Sequence, residues 1–592
     1  MNILVFSPYS GIWVHSMPEM VVARELVKAG HVVHIMRCDG TLDKYCPVMT
    51  AYGRVFDSSD KDKARICDTC INSRLVLDDE LYTTTSVLTD HLALDDVLKI
   101  DTLLTSITPQ NFESLQIDGL PIGKYATYEL LLNHKISNLA EIEKIWDEYL
   151  ENLRQCLIAH RSVSNFLRKN RIDRLVVYNS LYSLNRTAVK YAEKINVKWS
   201  TIHGGKNVED MLRTLTVNSS DAHDLLITRS NEWRKWENTP LSPAEITSVR
   251  KNLEYVLGAK SAFTYSSSKK KSKPSGLRKY FDIDNDNKVL LCILSSADER
   301  FAGDQVETLE FKMTDTDSSV FRNTNEWILF LVDFIERHTD FHLIIRVHPR
   351  EFPNHRDSIQ SKRGSQLLEL SKQHHARVSW NLPSDRLSLY DLAEITHVVL
   401  NGTSTSGVEL MAFGLPVVIY DAGKLFAYPP NHNYVGETFE DYERSILEAS
   451  KIGWSLTNSI RAFRFRSFLF NVLAVPLHDA VPSRTNWSAE RITDGLRNRK
   501  NFPIPIEIHN WLRRREISRI PNKVLESEKI VRAIIENVDT VAQLHEPPPD
   551  RSESIEKSEI RRALAKLTKR FFDTEDVAAL GSRIMRDDSA HS

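Results

Sequence analysis

The first 36 residues alternate between strand and helix patterns, and this alternation restricts the fold more than any other feature of the chain. Residues 3–7 consist of four apolar residues followed by Ser7, which predicts a buried strand. Residues 17–31 place apolar side chains at helical spacing and reach Gly30, a residue type common at helix C-termini. Another apolar run, 32–36, follows. We therefore predict a doubly wound α/β sheet of parallel strands, with a ligand crevice at the carboxyl ends of the strands.

The alternation returns at residues 174–230 and again, as a second series, at 288–421. Because 592 residues are too many for one hydrophobic core, we expect two large domains. The predicted fold class is α/β, with two Rossmann-like domains facing across a cleft. Its predicted parts are an N-terminal Rossmann-like domain over 1–258 with a Cys-rich insertion over 38–135, and a C-terminal Rossmann-like domain over 277–440.

Three further segments complete the predicted organisation. Residues 259–276 are rich in Ser and Lys and contain Pro and Gly, which is typical of a mobile linker. We interpret four of its lysines as part of a solvated loop, with a phosphate-binding patch as the alternative; these are Lys269, Lys270, Lys271 and Lys273. Residues 441–545 read as a helical region. Residues 546–592, beginning with a Pro run, read as a charged, loosely attached tail.

Composition and charge exclude some classes of partner. A formal net charge of -2 offers no large basic surface, so we expect no nucleic-acid partner. No apolar run approaches the ~20 residues that span a bilayer. The segment 468–477 is the nearest, and we read it as a buried helix, with shallow peripheral membrane contact as the alternative. The N-terminus lacks a signal-peptide pattern, which predicts a cytoplasmic location, with the inner face of the membrane left open.

The segment 396–421 is the most informative for chemistry. An apolar strand pattern runs into a loop of small and hydroxylated residues, and a helix pattern begins directly afterwards. Such a loop lets backbone N–H groups approach a bound anion, which suits a nucleotide diphosphate. Glu409, in the first helical turn, can accept both hydroxyls of a ribose. The alternative is that the hydroxyls cap the helix and Glu409 complements its dipole.

A second cluster follows the strand pattern at 343–347. Arg346, His348 and Arg350 occupy alternate positions, which face the same side of an extended chain. The Pro after His348 ends the strand and brings these groups to the predicted cleft, where they suit phosphate binding. A solvated strand edge is the alternative.

Four cysteines, Cys38, Cys46, Cys67 and Cys70, lie within 33 residues. They supply four thiolates for a tetrahedral metal site, and we predict a structural zinc there, with an iron–sulfur cluster as another occupant of the same ligands. Free buried cysteines are the alternative. Because Cys38 directly follows the second strand, such a metal would fix the insertion against the rim of the cleft.

Several motifs, in order and spacing, resemble bacterial capsule and surface-polysaccharide biosynthesis proteins, which are glycosyltransferase-like proteins of GT-B architecture. In the second half these are "KVLLCILSSADE", "IIRVHPRE", "SLYDL" and "NGTSTSGVELMAFGLPVV". In the first half they are "GIWVHSMPEMVVARELVKAGHVV", "CDG", "YNSLYSLNRTAVKYAEKINV" and "HGG". The resemblance covers residues 1–440 and is weak for the identity of the sugar.

The resemblance implies an enzyme, a glycosyltransferase that needs no cofactor for transfer and moves a sugar from a nucleotide-activated donor to a glycan or lipid-linked acceptor. The residues it places on the donor side are Arg346, His348, Ser388, Tyr390, Thr403, Ser404, Thr405, Ser406 and Glu409. Those it places on the acceptor side are Gly11, His15, Asn179, Arg186, His203, Gly204 and Gly205. The chain departs from the family at His203, where related sequences often carry an acidic residue.

Two histidines are the candidates for the catalytic base. His15 and His203 both follow first-domain strands, and an imidazole titrates in the useful range. We expect His15 to act as the base, with substrate orientation or a hydrogen bond to a backbone carbonyl as its alternative roles. Asp298 and Glu299, after the first strand of the second series, are further polar candidates.

Two other functions remain open at the level of sequence. The chain could transfer a polyol phosphate from a nucleotide-activated donor, as teichoic acid polymerases do. It could also bind a nucleotide sugar or glycan without catalysis and serve as an assembly partner. Neither the sugar, nor the acceptor, nor the oligomeric state follows from the sequence.

Overall fold

The computed structural model describes residues 1–589 except 82, 222–231, 261–264, 266, 271–272, 307–319, 355–356, 403, 421–433, 482–505 and 550. The end of the predicted alternation at 224–230 and Thr403 of the donor loop therefore lie outside the described residues, as does part of the predicted linker. Within the described part, no helix is both long enough and apolar enough to cross a membrane.

Two separate sheets form the framework of the protein. The first has the order β13-β6-β5-β4-β1-β2-β3. Its strands are β1 (Asn2–Phe6), β2 (Val32–Arg37), β3 (Thr84–Val87), β4 (Arg174–Tyr178), β5 (Lys198–Gly204), β6 (Thr214–Asn218) and β13 (Val475–Pro476). The second has the order β12-β11-β10-β7-β8-β9. Its strands are β7 (Lys288–Ile293), β8 (Phe341–Arg346), β9 (Val378–Asn381), β10 (Thr396–Asn401), β11 (Val417–Tyr420) and β12 (Tyr434–Gly436).

The second sheet is parallel throughout, and its order reverses direction between β7 and β10. This reversal is the switch point at which doubly wound sheets bind ligands. The first sheet is parallel from β3 through β5, whereas β6 runs antiparallel to both β5 and β13. The prediction of two Rossmann-like α/β domains is confirmed, and the antiparallel edge of the first sheet was not predicted.

Helices cover both sheets. Those of the first half are α1 (Trp13–Lys28), α2 (Pro47–Ala51), α3 (Asp60–Asp78), α4 (Leu94–Leu104), α5 (Ile122–Tyr125), α6 (Tyr128–His134), α7 (Trp146–Lys169) and α8 (Ser183–Lys194). Those of the second half are α9 (Pro243–Leu257), α10 (Pro274–Tyr280), α11 (Ala297–Gln305), α12 (Thr324–Arg337), α13 (Lys362–Leu370), α14 (Leu389–Leu392), α15 (Ser406–Met411), α16 (Phe439–Ile452) and α17 (Leu456–Ser467). The last four are α18 (Ile506–Ile517), α19 (Ser527–Glu536), α20 (Glu553–Phe571) and α21 (Leu580–Ser589).

The chain crosses between the two domains more often than the sequence indicated. Helix α9 lies inside the predicted first domain, yet its Val249 and Leu253 are fully buried in the core of the second sheet. In the opposite direction, Ile517 and Ile534 of the C-terminal helices pack into the core beside β1 and α1. The predicted boundaries at 258 and 440 were wrong because each core recruits apolar side chains from a distant part of the chain.

The predicted loose tail is part of the second domain. Ile560 and Leu567 of α20 are fully buried in the core that also contains α9. Charged residues dominate the exposed face of α20, and its buried apolar stripe is narrow. The overall composition of the segment therefore did not indicate that the helix packs into a core. We therefore correct the prediction that 546–592 is loosely attached.

Lys269 also differs from its prediction. Its ammonium group is buried, lies 2.9 Å from a carboxylate oxygen of Glu394 and 3.5 Å from one of Asp391, and sits over the ring of Phe572. A buried lysine requires such partners, because an unpaired charge away from water is costly. This residue of the predicted solvated linker is thus an anchor that joins the linker to the second domain.

The insertion at 38–135 contacts the second domain directly. Lys135 pairs with Asp357 at 2.6 Å and donates a hydrogen bond to the carbonyl of Phe352 at 3.1 Å. Ala302 and Val306, from the second domain, are buried in the core formed by the insertion and α7. The insertion therefore holds one side of the cleft between the domains.

Candidate functional site

Tyr178, the last residue of β4, organises the first-domain side of the cleft. Strand β4 lies between β1 and β5, so the carboxyl ends of these three strands are adjacent. The Tyr178 ring stacks on His15, with 4.1 Å between centroids, and lies 5.5 Å from the ring of His203. Its hydroxyl accepts a hydrogen bond from the Gly204 N–H at 3.1 Å. The structure thus brings together both histidines that the sequence singled out.

Both histidines are neutral at physiological pH. Burial lowers the pKa of His15 to about 3 and that of His203 to about 4, because an imidazolium loses its hydration there. His203 Nδ1 lies 2.9 Å from the carbonyl oxygen of Gly204. A carbonyl only accepts, so Nδ1 carries the proton and Nε2 is left able to accept one. Each ring is therefore neutral and able to accept a proton, but its lowered pKa makes it a weaker base than the unperturbed imidazole expected from the sequence.

Glu19 is a residue of this cluster that sequence reasoning missed. Its Oε2 accepts a hydrogen bond from the hydroxyl of Ser7 at 2.5 Å, and Arg37 donates to the same hydroxyl at 3.1 Å. Burial raises the pKa of the Glu19 carboxyl to about 7, with Ser7 and Arg37 opposing the shift. The sequence signal that could have identified Glu19 is its position four residues after His15, which places both side chains on one face of α1.

Gly11, Gly204 and Gly205 are required by close packing. A Cβ at Gly11 would lie 2.5 Å from Val48 Cγ1, and one at Gly205 would lie 2.0 Å from Thr214 Oγ1. A Cβ at Gly204 would lie 3.0 Å from the Met211 carbonyl. These glycines shape the strand ends beside the histidines, and their assignment as acceptor contacts stays a prediction.

Arg186 and Asn179 have structural partners. Arg186 is fully buried and pairs with Asp221 at 2.6 Å, so its charge is neutralised inside the first domain rather than presented to an acceptor. Asn179 has a φ of 57° and its Oδ1 accepts from the Leu181 N–H at 3.0 Å, which shapes the turn after β4. This ion pair gives Arg186 a structural role inside the first domain, and its predicted acceptor contact stays a prediction.

A second cluster lies at the carboxyl ends of β8 and β10. Tyr390, in α14, donates its hydroxyl to Glu409 Oε2 at 2.6 Å. Arg346 donates to the Leu387 carbonyl at 3.2 Å and to Asn381, and burial lowers its pKa to about 10. Arg346 and Arg466 both lie within electrostatic reach of Tyr390. Three predicted donor residues are thus close together, and Arg466 is a fourth member that the sequence did not indicate.

The loop between β10 and α15 is the predicted phosphate site. Asn401 Nδ2 donates to the Ser404 carbonyl at 3.1 Å, and Ser404 Oγ accepts from the Ser406 N–H at 3.3 Å. Thr405 is exposed, while Ser404, Ser406 and Glu409 are partly exposed. Helix α15 has only six residues, so its dipole is small. An anion at this position would therefore bind mainly to the backbone N–H groups and hydroxyls of the accessible loop.

Two residues placed on the donor side are internal to the fold. Ser388 is fully buried, and its hydroxyl caps α14 by accepting from the Tyr390 N–H at 3.2 Å. The Arg350 guanidinium donates to Asp298 at 2.8 Å, to Tyr265 Oη at 2.7 Å and to the Leu132 carbonyl at 2.9 Å. With all its nitrogens engaged, Arg350 bridges the two domains, so we correct its predicted contact with phosphate.

His348 lies beyond the end of β8, in a short turn. Its Nδ1 accepts from the Arg350 N–H at 3.2 Å, and burial lowers its pKa to about 4. Burial also raises the pKa of Asp298, the partner of Arg350, to about 6, while Glu299 is exposed. The three cationic or polar groups predicted to share one strand face are therefore divided between a strand end and a turn.

The four cysteines line one cavity of about 10 Å³ beside the His15 loop, with Tyr9, Val48 and Ile66. Gly11 donates its N–H to Cys70 Sγ at 3.1 Å, which couples this loop to the cluster. Burial raises the pKa of both Cys67 and Cys70 to about 12. Within the described residues, no three His, Cys, Asp or Glu side chains are arranged to hold a metal ion. The zinc prediction is therefore not confirmed and stays a prediction.

Helix α18 closes the outer side of the cysteine cluster. Its Arg513 is buried, stacks over Trp13 with 4.6 Å to the ring centroid, and acts electrostatically on Cys70. Glu516 accepts a hydrogen bond from Trp13 Nε1 at 2.7 Å. A part of the chain 500 residues away thus fixes the start of α1, on which His15 is carried.

A larger cavity of about 270 Å³ lies at the carboxyl ends of β7, β10 and β11, where the sheet order reverses. Both domains contribute to it, since Ser137 of the first domain lies on one wall. The remaining lining residues are Ser295, Ser296, Ala297, Arg300, Phe301, Asp304, Arg322, Asn323, Thr324, Trp327, Arg363, Gly402 and Tyr420. Of these, only Gly402 belongs to the loop that the sequence indicated.

No protein-family model matches the chain, and no curated protein matches it. Among solved structures, UDP-GlcNAc 2-epimerase from Neisseria meningitidis bound to UDP-GlcNAc is 12% identical, with a TM-score of 0.23 over 79% of this chain and 99% of that one. Sucrose-phosphate synthase from Thermosynechococcus elongatus is 10% identical, with a TM-score of 0.27 over 79% and 95%. The calicheamicin glycosyltransferase CalG4 is 11% identical, with a TM-score of 0.23 over 84% and 97%. Similarities this low leave the function to be argued from the site.

Proposed function

We propose that this protein is a glycosyltransferase that moves a sugar from a nucleotide-activated donor to a hydroxyl of an acceptor. The observation that carries the proposal is the Glu409 carboxylate, which Tyr390 holds at 2.6 Å beside the accessible loop at the switch point of the second sheet. An ionised carboxylate accepts two hydroxyl groups, and ribose presents two neighbouring ones. The loop offers backbone N–H groups for a diphosphate in the same place.

The donor side supplies positive charge as well. Arg346 and Arg466 are both near Tyr390, and their charges complement a nucleoside diphosphate. This arrangement supports a donor bound by the second domain through its ribose and phosphates. These contacts do not identify the nucleobase or the sugar of the donor.

His15 is the proposed base. Its ring is neutral, partly exposed and stacked on Tyr178, so its position is fixed while its nitrogens can reach a ligand. In a direct displacement, the acceptor oxygen attacks the anomeric carbon and its proton passes to the imidazole. The bond between the anomeric carbon and the phosphate oxygen breaks, and the nucleoside diphosphate leaves with that electron pair.

The proposed acceptor is a glycan or lipid-linked glycan of surface-polysaccharide assembly, which is the finer part of the proposal and rests on the sequence resemblance. Transfer of a polyol phosphate would use a similar donor site, but it would leave phosphorus in the product. A binding protein without catalysis would retain donor affinity and release no nucleotide.

A thermal-shift screen of uridine, guanosine, cytidine and thymidine diphosphate sugars tests the donor assignment, because a bound ligand stabilises the folded state by mass action. We expect one nucleotide series to raise Tm in the wild type and to lose most of that shift in Glu409→Ala. The proposal fails if no nucleotide sugar changes Tm, or if the Glu409→Ala variant responds as the wild type does.

A further inference from the structure

The 270 Å³ cavity at the domain boundary carries an excess of positive charge. Arg300, Arg322 and Arg363 reach its wall from α11, the start of α12 and α13, and Asp304 is the one carboxylate among its lining residues. In the part of the chain that the structure describes, the side chains of Arg300 and Arg322 form no ion pair. Three guanidinium groups against one carboxylate make this cavity suited to an anion.

Two side chains that line the cavity also carry a buried polar atom without a hydrogen-bond partner among the described residues. Arg363 donates one nitrogen to Asn325 at 2.6 Å, while its buried Nη2 has no hydrogen-bond partner among the described residues. The buried hydroxyl of Ser295 is likewise without a partner in the described structure. Buried polar groups are normally satisfied, so a small movement of either side chain would offer an unused donor to a polar ligand in the cavity.

Gly402 connects this cavity to the proposed donor loop. A Cβ at position 402 would lie 3.2 Å from the Tyr420 hydroxyl and 3.8 Å from Trp327, both of which line the cavity. The glycine therefore keeps the wall open at the point where the loop 402–407 begins. A group attached to a phosphate at that loop is within reach of the cavity.

We propose that the cavity binds the transferred sugar itself, and that this sugar carries a carboxylate, as a uronic acid does. The inference rests on the proposed glycosyltransferase function and adds the class of sugar. Ser137 of the first domain forms part of the cavity wall. The cavity therefore lies where a donor sugar bound by the second domain would meet an acceptor bound by the first. A planar carboxylate matches the fork of an arginine guanidinium, which gives the site a preference over a neutral sugar.

The same arginines could instead hold the donor diphosphate, and matched ligand pairs separate the two sources of negative charge. The probes are UDP-glucuronic acid with UDP-glucose and GDP-mannuronic acid with GDP-mannose, measured by calorimetry. The proteins are the wild type, Arg300→Ala, Arg322→Ala and the control Arg444→Ala. Arg444 is exposed, lies on α16 and pairs only with Asp441 among the described residues.

We expect the wild type to bind the acidic member of one pair about tenfold more tightly, which is the strength of one charge-assisted hydrogen bond. Arg300→Ala and Arg322→Ala should abolish this preference and leave the affinity for the neutral member within about twofold, while Arg444→Ala changes neither. Equal loss for both members would assign the arginines to the diphosphate and overturn the inference. Binding without preference in the wild type would overturn it too, as would absence of binding to all four ligands, whereas the proposed function is tested separately by the wider thermal-shift screen.

Discussion

The hydroxyl of Tyr390 donates to the carboxylate of Glu409 at 2.6 Å, across 19 residues of sequence. Burial and the neighbouring carboxylate raise the pKa of Tyr390 well above its ordinary value, so the phenol stays protonated and keeps donating. One Glu409 oxygen is occupied by this bond. The pair therefore fixes the direction in which the carboxylate presents its remaining lone pairs to a ligand.

Separate changes to the two members of this pair should weaken donor binding to different extents. Glu409→Gln removes the charge that accepts the ribose hydroxyls, and we expect affinity for the donor nucleotide to fall by about tenfold or more. Tyr390→Phe removes only the hydrogen bond that orients the Glu409 carboxylate, and we expect the affinity for the donor nucleotide to fall by about threefold to tenfold. Titration calorimetry with the nucleotide measures both, and the exposed Glu440→Gln should match the wild type. Equal affinities in all four proteins would contradict the assignment.

Replacing His15 should affect turnover far more than donor affinity. His15→Gln keeps a polar group stacked near Tyr178 but cannot take up a proton, so we expect kcat to fall by about 10²-fold to 10⁴-fold. Donor affinity should stay within about twofold, because the nucleotide is bound by the other domain. Steady-state kinetics and calorimetry together test this, with the exposed His374→Gln as control. A His15→Gln enzyme with near-normal kcat would exclude His15 as the base.

Glu19 should make stability depend on pH. Its pKa is about 7 in the folded protein and near 4.5 when unfolded, so the folded state binds more protons between these values. Its contribution to stability is therefore present in acid and is lost as pH rises from 4.5 to 7. Glu19→Gln keeps the partner of Ser7 without the titration, and should gain on the order of 2 kcal/mol over the wild type between pH 5 and pH 8.

Urea unfolding of the wild type, Glu19→Gln and the exposed control Glu80→Gln at pH 5 and pH 8 measures this difference directly. The subtraction isolates Glu19 from the histidines, whose lowered pKa values act in the opposite sense. Parallel pH dependences in the wild type and Glu19→Gln would show that this carboxyl does not titrate near neutrality.

The cysteine cluster yields a prediction about metal content. If Cys38, Cys46, Cys67 and Cys70 bind zinc, protein purified without oxygen should contain about one zinc per chain, since tetrathiolate sites are saturated at low free metal. Cys67→Ser should lose the metal, whereas Cys292→Ser, a buried cysteine of the second sheet, should retain it. Elemental analysis decides the matter. Protein without zinc or iron that folds as the wild type does would identify the cluster as four packed thiols.

The last helices should be necessary for the stability of the second domain. Leu567 is fully buried in α20, and Leu567→Ala should cost about 2–4 kcal/mol through lost burial and the cavity that remains. Ile555 on the same helix is 56% exposed, so Ile555→Ala should change stability by about 0.5 kcal/mol or less. Denaturant unfolding compares the two. Equal, small effects would restore the interpretation of residues 546–592 as a loose tail.

Local periodicity predicted elements such as β1, α1 and β2, because each of them carries its pattern within its own residues. The pattern also brought His15 and His203 to adjacent strand ends. It could not assign α9 to the second core, since Val249 and Leu253 look alike whichever sheet they cover. Contacts between segments that are far apart in the chain, such as those of α18 with the start of α1, leave no signal in the local sequence.

The candidate site was predictable where residue type and position agree, as for Glu409 and Tyr390. The site was not predictable where a charged side chain is neutralised by an ion pair inside the fold. Arg186 meets Asp221 35 residues later, and Arg350 meets Asp298 52 residues earlier. Each arginine looks like a ligand contact until its partner is known. The lining of the large cavity comes from six separate stretches of the chain, at 137, 295–304, 322–327, 363, 402 and 420, which no single motif joins.

The most direct test is an assay of nucleotide release and product formation. The protein is incubated with the nucleotide sugar that gives the largest thermal shift, together with glycan and lipid-linked acceptors. The account predicts release of the nucleoside diphosphate that depends on acceptor and on His15, with a glycosylated product that contains no added phosphorus. Tight donor binding without nucleotide release with any acceptor, or conversion of the donor sugar with the nucleotide still attached, would contradict glycosyl transfer.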